Sequence, residues 1–508
     1  MLFDLKKNEF PSSDRYNLAI VGAGAAGISI AREFSGIPHR VLLIESGDFE
    51  SDRQTQDLYR GETEGNLPGN DDYLHTSRLR FFGGSTNHWN GWCRPLDPID
   101  FEKREWVPNS GWPISKNDLE PNYRRAEKLV GINSFRQLDQ EQFDWTSADM
   151  TQMKVRAPYF QFSSPPTRFG QQYRDDVLQS ENIDIIINAN LRDIRLNDRN
   201  SRVSTIHLSS LNQHEAEFQV DFLVLACGGI ENPRILMNCR NDIPAGIGNQ
   251  NGLVGKYFLE HPHYYRTSAW LVTWNVVQLK KFLNRVQKRI RYELNEPSNT
   301  RVFSITERAQ REEKLLNISM EVLSSSYLEN SELNPQEKTF TQAVNDLSKK
   351  LLIDKNMLEN AQIAKVYIRA EQEPTESNSV TITDEKDELG MQRVKLKCQV
   401  SNHEVENYRQ SLKLLGRAFG LDQKGRIRID MNHESYVAGG AHHMGTTRMS
   451  SNPQAGVVDS NCAVHGVDNL FIAGSSVFPT AGFANPTLTI LALGLRLADH
   501  LKTLLKNE

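Results

Sequence analysis

The sequence predicts an α/β fold whose main sheet is assembled from separated stretches of chain, and three observations carry that prediction. A glycine-rich turn at Gly22, Gly24 and Gly27 stands between an apolar run of strand length and a helix. A second strand–glycine–helix unit follows at residues 218–237. A third strand and helix close the chain at residues 470–473 and 487–501. The stretches between them carry no such signature and read as insertions.

In chain order, residues 16–21 form the first strand and residues 28–34 the helix that continues from the glycines. Gly22 permits the tight turn, Gly24 lets backbone approach a pyrophosphate, and Gly27 allows the helix to pack closely on the strand. Phosphates would rest on the free N–H groups at the helix start. A strand at residues 40–44 ends in Glu45, an acid about 20 residues beyond the glycines, which suits ribose hydroxyls. Residues 47–77 are polar and read as an excursion from the core. Residues 81–92 concentrate glycines, hydroxyls and aromatics. A helix over 116–128 is signalled by the Ser115 cap with Asp118 three residues on.

Strands are expected at 183–187, 203–209 and 218–226, the last meeting a turn at Cys227-Gly228-Gly229. A helix then opens at Asn232 with Pro233 in its first turn. Residues 267–362 are rich in Lys, Arg, Glu, Asn and Gln and read as weakly amphipathic helices and loops; the basic run 282–292 reads as a solvated helix face. Strand character returns over 362–382. Residues 403–419 have helical period, with Val405, Tyr408, Leu412, Leu415 and Phe419 on one side.

At 508 residues the chain is long enough for more than one domain. Hydrophobic residues at 38% and charged residues at 24% fit a soluble globular protein. A net charge of −5 leaves no electrostatic footprint for nucleic acid. No signal-peptide core opens the chain, and no apolar run reaches the roughly 18 residues that span a bilayer. The five cysteines are scattered without a C-x-x-C pair, so free thiols in a cytoplasmic setting are expected and structural zinc is not.

Four blocks stand in order along the chain. The first is the glycine fingerprint with Glu45. The second is Gly83-Gly84-Ser85-Thr86 with the aromatic tail after it. The third is Cys227-Gly228-Gly229-Ile230-Glu231-Asn232-Pro233-Arg234, followed by Glu260-His261-Pro262. The fourth runs over 442–501 and holds His442-His443-Met444-Gly445-Thr446, Ala473-Gly474-Ser475 and Asn485-Pro486-Thr487. In these blocks the chain resembles the glucose-methanol-choline (GMC) flavin oxidoreductases. The His88-Trp89 pair, in G-G-S-T-N-H-W-N-G, is similar to that of the pyranose-oxidase and sugar-dehydrogenase branch.

The resemblance implies FAD rather than NAD, held in a discontinuous Rossmann-like FAD-binding domain of residues 1–100, 180–265 and 455–508. An inserted α+β substrate-binding domain and its connections would take 101–179 and 266–454. It implies cofactor contacts from Gly22, Gly24, Ala25, Ala26, Gly27 and Glu45 in the first block. The second would supply Gly83, Gly84, Ser85, Thr86, His88, Trp89 and Asn90. The middle of the chain would supply Leu191, Cys227 and Gly228, and the last block Gly474, Ser475, Asn485, Pro486 and Thr487. His88 is a candidate covalent anchor for the flavin 8α-methyl carbon; alternatively it packs beside the ring.

Oxidising an alcohol removes a hydroxyl proton and moves a hydride to flavin N5. Histidine supplies a base whose ordinary pKa lies near working pH. The family's base maps to His442, and its partner to Asn485, whose neutral amide would hydrogen-bond the substrate oxygen as alkoxide character develops. His443 is expected to orient the loop or line the pocket. His263 and Tyr265 are pocket candidates that serve equally well as core aromatics. The implied reaction is oxidation of a CH–OH group of a sugar, glycoside or related polyol, with O2 or another electron acceptor. An FAD-containing lyase and an oxidase of sterol, aliphatic or aryl alcohols remain alternatives. Oligomeric state is not legible.

Overall fold

The computed structural model describes residues 1–67, 72–138, 152, 154–273, 298–324, 362–421 and 425–506. The basic run 282–292 lies outside the described residues.

An eight-stranded sheet forms the first layer. Its path is Leu2–Asp4, Ile183–Ile187, Val41–Ile44, Arg15–Val21, Glu215–Leu225, Val203–Ser209 and Asn190–Leu196, with Leu470–Ile472 added alongside Glu215–Leu225. The first five strands and Leu470–Ile472 are parallel; the two at the far edge are antiparallel. Val41–Ile44 and Ile183–Ile187 are buried at every position, as parallel strands covered on both faces require. The helix Ala25–Glu33 leaves the first strand and packs against the closing helix Thr487–Leu505. A Cβ on Gly27 would stand 1.9 Å from the Gly22 carbonyl oxygen, so this helix sits where only glycine fits. The predicted unit of strand, glycine turn and helix at 218–237 does extend this sheet, since Glu215–Leu225 pairs parallel with Arg15–Val21.

Among the described residues a second sheet has seven strands. Its path is Gly425–Ile429, Pro262–Thr273, Gln362–Ala370, Ile318–Ser324, Phe303–Ile305 and Val155–Arg156, with Ala438–Gly439 beside Pro262–Thr273. All its pairings are antiparallel. The helix Asn402–Leu421 packs on it and buries Val405, Tyr408, Leu412, Leu415 and Phe419. His263 pairs with Arg369, and Glu321 pairs with Tyr367. Directly opposed residues share a face, and Tyr367 and Arg369 are two apart, so all four point the same way.

Three expectations need correction, and a fourth, strand character over 362–382, is met in two pieces. The helix after Cys227 spans Gly228–Asn238 and so begins before Asn232, with Pro233 inside it. Pro233 has no N–H to give the carbonyl of Gly229, and the Thr446 hydroxyl donates to that oxygen instead at 2.6 Å. Residues 362–382 are two strands, Gln362–Ala370 and Ser379–Lys386, in different sheets. The polar insertion holds the strands Phe303–Ile305 and Ile318–Ser324 as well as the helix Glu307–Glu313. The polar excursion after Gly47 also contributes structure. Gly61–Glu64 joins Ser379–Lys386 and Gln392–Lys397 in a three-stranded sheet, and Tyr73–Thr76 forms a short helix with Tyr73 and Leu74 buried. An edge strand needs only backbone pairing and matched charge, and Glu64 receives Lys395 and Lys397 from its neighbour.

Candidate active site

A cavity of about 1020 Å³ lies at the carboxyl ends of the parallel strands and reaches to the second sheet. Three helices begin on its wall: Ala25–Glu33 after Gly24, Gly228–Asn238 after Cys227, and Thr487–Leu505 after Pro486. None of the three has a side-chain cap, so their first N–H groups are left to a ligand. A Cβ on Gly24 or Gly228 would meet no protein atom within 4 Å, which leaves bare backbone facing the space. Glu45 is buried and fixed: one carboxylate oxygen accepts the N–H of Ala23 at 2.9 Å, the other that of Gly47 at 3.0 Å. Anion-binding helix ends beside an anchored acid are what a dinucleotide such as FAD requires.

The cavity gathers most of the residues singled out in the sequence. Gly22, Gly24, Ala25, Ala26 and Glu45 line it, as do Gly84, Ser85, Thr86, His88, Trp89 and Asn90. So do Leu191, Cys227, Gly228, Gly474, Ser475, Pro486 and Thr487. Gly27 and Gly83 stand behind the wall. Gly83 has φ +96° and sits 2.7 Å, measured from an added Cβ, from the backbone nitrogen of Gly170. Both glycines allow close packing rather than contact with a ligand. His442, His443, Asn485 and His263 line the cavity where it meets the second sheet. Tyr265 lies in the strand Pro262–Thr273, and its side chain is outside the described residues.

The histidines form a connected set. The Asn485 amide nitrogen is 3.0 Å from Nε2 of His442, and Nδ1 of His442 is 2.8 Å from Nδ1 of His261. Burial first, then the neighbouring His261 and His263, pushes the pKa of His442 well below the ordinary imidazole range. Burial lowers His443 to about 3 and His261 to about 4. These rings are therefore neutral, and His442 presents a lone pair rather than a positive charge.

Beneath them Glu260 is 1% exposed. Its carboxylate accepts the backbone N–H groups of His261 and His442, each at 2.8 Å, and the hydroxyl of Tyr73. Burial raises its pKa to about 7. The same Tyr73 oxygen lies 3.2 Å from Nε2 of His443.

Several lining residues were not anticipated. Glu231 is buried and paired with Arg78 at 3.0 Å, Arg80 at 3.1 Å and Arg234 at 3.1 Å. Burial works against its ionisation, yet the three guanidinium groups hold its pKa down to about 2. On the second sheet, Tyr367 bonds His263 at 3.1 Å, and Arg369 pairs with Glu321 at 2.9 Å while lying 4.0 Å above the Trp92 ring. Neither group has a local sequence signal, because each joins residues from distant stretches. Among the described residues no cluster of His, Cys, Asp and Glu could hold a metal ion, and no helix is long and apolar enough to cross a membrane.

Comparison with known proteins agrees with this geometry. Residues 17–244 match the family model described as FAD dependent oxidoreductase, and residues 374–494 match the model described as GMC oxidoreductase. The chain is 22% identical to 2-methyl-1,2-propanediol dehydrogenase of Mycolicibacterium austroafricanum, over 96% of both chains. It is 23% identical to 6'''-hydroxyparomomycin C oxidase of Streptomyces lividus, over 96% of this chain and 93% of the relative. The solved structure of pyridoxine 4-oxidase from Mesorbium loti superposes with a TM-score of 0.57 at 17% identity, covering 96% of this chain and 99% of that one. With a glycine-lined cavity at the strand ends and both models matched in order along the chain, the protein carries an FAD-dependent oxidoreductase domain followed by a GMC oxidoreductase C-terminal domain and is an FAD-dependent enzyme.

Proposed function

We propose that the protein oxidises a CH–OH group of a sugar, glycoside or related polyol, with His442 as the base and Asn485 as the partner of the substrate oxygen. The observation that carries this is the 3.0 Å contact between Nε2 of His442 and the Asn485 amide, on the cavity wall between the helix N-termini and the second sheet. A hydroxyl entering between them would give its proton to Nε2 and receive a hydrogen bond from the amide as negative charge grows on oxygen. The bound FAD supplies the hydride acceptor. Gly22, Gly24, Gly228 and the helix starts they precede would hold its phosphates, and Glu45 its ribose. The FAD-binding domain would be residues 1–100, 180–265 and 455–508, with substrate binding and connections in 101–179 and 266–454.

A neutral base within the enclosed site needs no prior deprotonation at neutral pH. The polar wall of His263, Tyr367, Arg369 and Glu321 supports a hydroxyl-rich ligand over a sterol or long-chain alcohol. The names of the relatives, a 2-methyl-1,2-propanediol dehydrogenase and a 6'''-hydroxyparomomycin C oxidase, point in the same direction. The test is anaerobic bleaching of the flavin by a panel of sugars, glycosides, polyols, aliphatic alcohols and sterols. Bleaching by sugars or polyols supports the reading, and bleaching by sterols alone overturns its substrate class. A flavin that none of them reduces overturns alcohol oxidation and favours the lyase. Readmitting air then distinguishes O2 from another acceptor.

His88 lines the cavity and is proposed as a covalent anchor of the flavin. Yellow colour that stays with acid-precipitated protein, and is lost in His88→Ala, supports this; flavin released by acid from the unaltered protein overturns it.

A further inference from the structure

His442 and His261 belong to a chain of hydrogen bonds whose directions are fixed from one end. Nε2 of His261 lies 3.0 Å from the carbonyl oxygen of Gly482. A carbonyl only accepts, so this nitrogen carries a proton. His261 is fully buried and neutral, so its other nitrogen is bare. That bare Nδ1 faces Nδ1 of His442 at 2.8 Å, and the hydrogen between them must therefore belong to His442. A neutral His442 with a proton on Nδ1 has a lone pair on Nε2. The Asn485 amide N–H donates to that lone pair.

We propose that His261 is a positioning residue, which fixes His442 in the tautomer whose Nε2 is basic, while Glu260 keeps the two rings in register. The proposal rests on reading His442 as the base. Without an acceptor at Nδ1, His442 can carry its proton on Nε2 instead. That nitrogen would then meet the substrate hydroxyl as a donor and could not take its proton. Glu260 acts through backbone rather than through the rings. One carboxylate oxygen holds the N–H groups of residues 261 and 442 together, and the Tyr73 hydroxyl holds the other oxygen. Two segments far apart in sequence are thereby tied at the atoms that set the distance between their imidazoles.

The test uses the flavin-loaded full chain and anaerobic stopped-flow reduction by whichever alcohol bleaches it. His261→Leu removes the acceptor and should slow reduction by about 10²-fold or more, with apparent substrate affinity changed much less. His261→Asn can place a carbonyl oxygen near the lost Nδ1 and should restore most of the rate. Added to His442→Ala, His261→Leu should cost nothing further, because its effect runs through His442. In protein labelled with 15N-histidine, the resonances lost in His442→Ala should report a protonated Nδ1. A wild-type rate in His261→Leu, or a His261→Asn variant no faster than His261→Leu, overturns the positioning role. So does a His442 protonated on Nε2 in the unaltered protein, a measurement that depends on no His261 variant folding. A wild-type rate in His442→Ala would overturn the base reading itself, whereas a slow His442→Ala beside a fast His261→Leu overturns only this inference.

Discussion

The two halves of the cavity are built from different materials. The half at the strand ends presents backbone at its centre, with bare glycines and three uncapped helix starts beside the anchored Glu45. The half against the second sheet is made of side chains: three histidines, an asparagine, a tyrosine and a buried ion pair. Backbone recognises what every dinucleotide shares, whereas side chains can be exchanged to suit one alcohol or another. On the proposed reading, the difference teaches that cofactor identity and substrate identity are written in separable parts of this molecule.

The largest effect should come from filling the backbone half. Gly24 has φ −83°, which any residue adopts, and an added Cβ meets no protein atom within 4 Å. Gly24→Val should therefore fold normally and lose flavin, with occupancy after purification lowered by more than about tenfold. Flavin absorbance per chain beside the melting temperature of the flavin-free protein would check this; full occupancy would break the comparison. Gly22→Val should behave differently. Gly22 has φ +102° and an added Cβ would stand 2.8 Å from the Ala226 carbonyl oxygen, so stability itself should fall.

The converse substitution removes a side chain and leaves the backbone alone. His442→Ala should retain flavin yet slow its reduction by roughly 10²–10⁴-fold. Flavin loss in this variant would mean that the halves are not separable.

A smaller effect is expected where the halves join. Thr446→Val keeps shape but leaves the Gly229 carbonyl without its donor, at a cost of about 1–3 kcal/mol in chemical denaturation. An unchanged midpoint would show that water or a shifted helix replaces the hydroxyl.

The last prediction concerns pH. His443 is neutral when folded, with its pKa lowered to about 3 by burial, and titrates near 6.5 when unfolded. Between those values the unfolded chain binds the extra proton, so stability falls as pH falls through this window, by up to about 1.4 kcal/mol per pH unit. The raised pKa of Glu260 acts in the opposite sense above its unfolded value. His443→Asn should consequently flatten the loss of melting temperature between pH 6 and 4 relative to the unaltered protein. Identical curves would mean that His443 is charged in the fold.

The same contrast explains what could be read from the sequence. Gly22 and Gly27 and the cap of Lys116–Val130 act through neighbours a few residues away, and Glu45 meets Ala23 at the fixed interval of one strand–helix–strand unit, so spacing along the chain reveals them. His442 and Asn485 were legible only through resemblance, since 43 residues separate two side chains that touch. The polar insertion misled because antiparallel pairing of Ile318–Ser324 with Gln362–Ala370 is decided across a gap in sequence. The ion pair of Arg369 with Glu321, and the pairing of Arg78 and Arg80 with Glu231, lie beyond any windowed reading for that reason. Tyr73 was hidden in a stretch whose polarity spoke for solvent, although its ring is buried against Glu260 and His443.

The loop that carries His442 and His443 is pressed onto the helix Gly228–Asn238. A Cβ on Gly229 would lie 2.1 Å from the His443 carbonyl oxygen, and that oxygen also receives the Ser475 hydroxyl at 2.6 Å. With Thr446 bonded to Gly229, the loop of His442 and the helix Gly228–Asn238 make a single mechanical part. For an engineer this marks out the permissible work. The strands bearing Tyr367, Arg369 and Glu321 form a replaceable face that can be redrawn for a new alcohol, whereas the joint at Gly229 is the datum from which every such alteration should be measured.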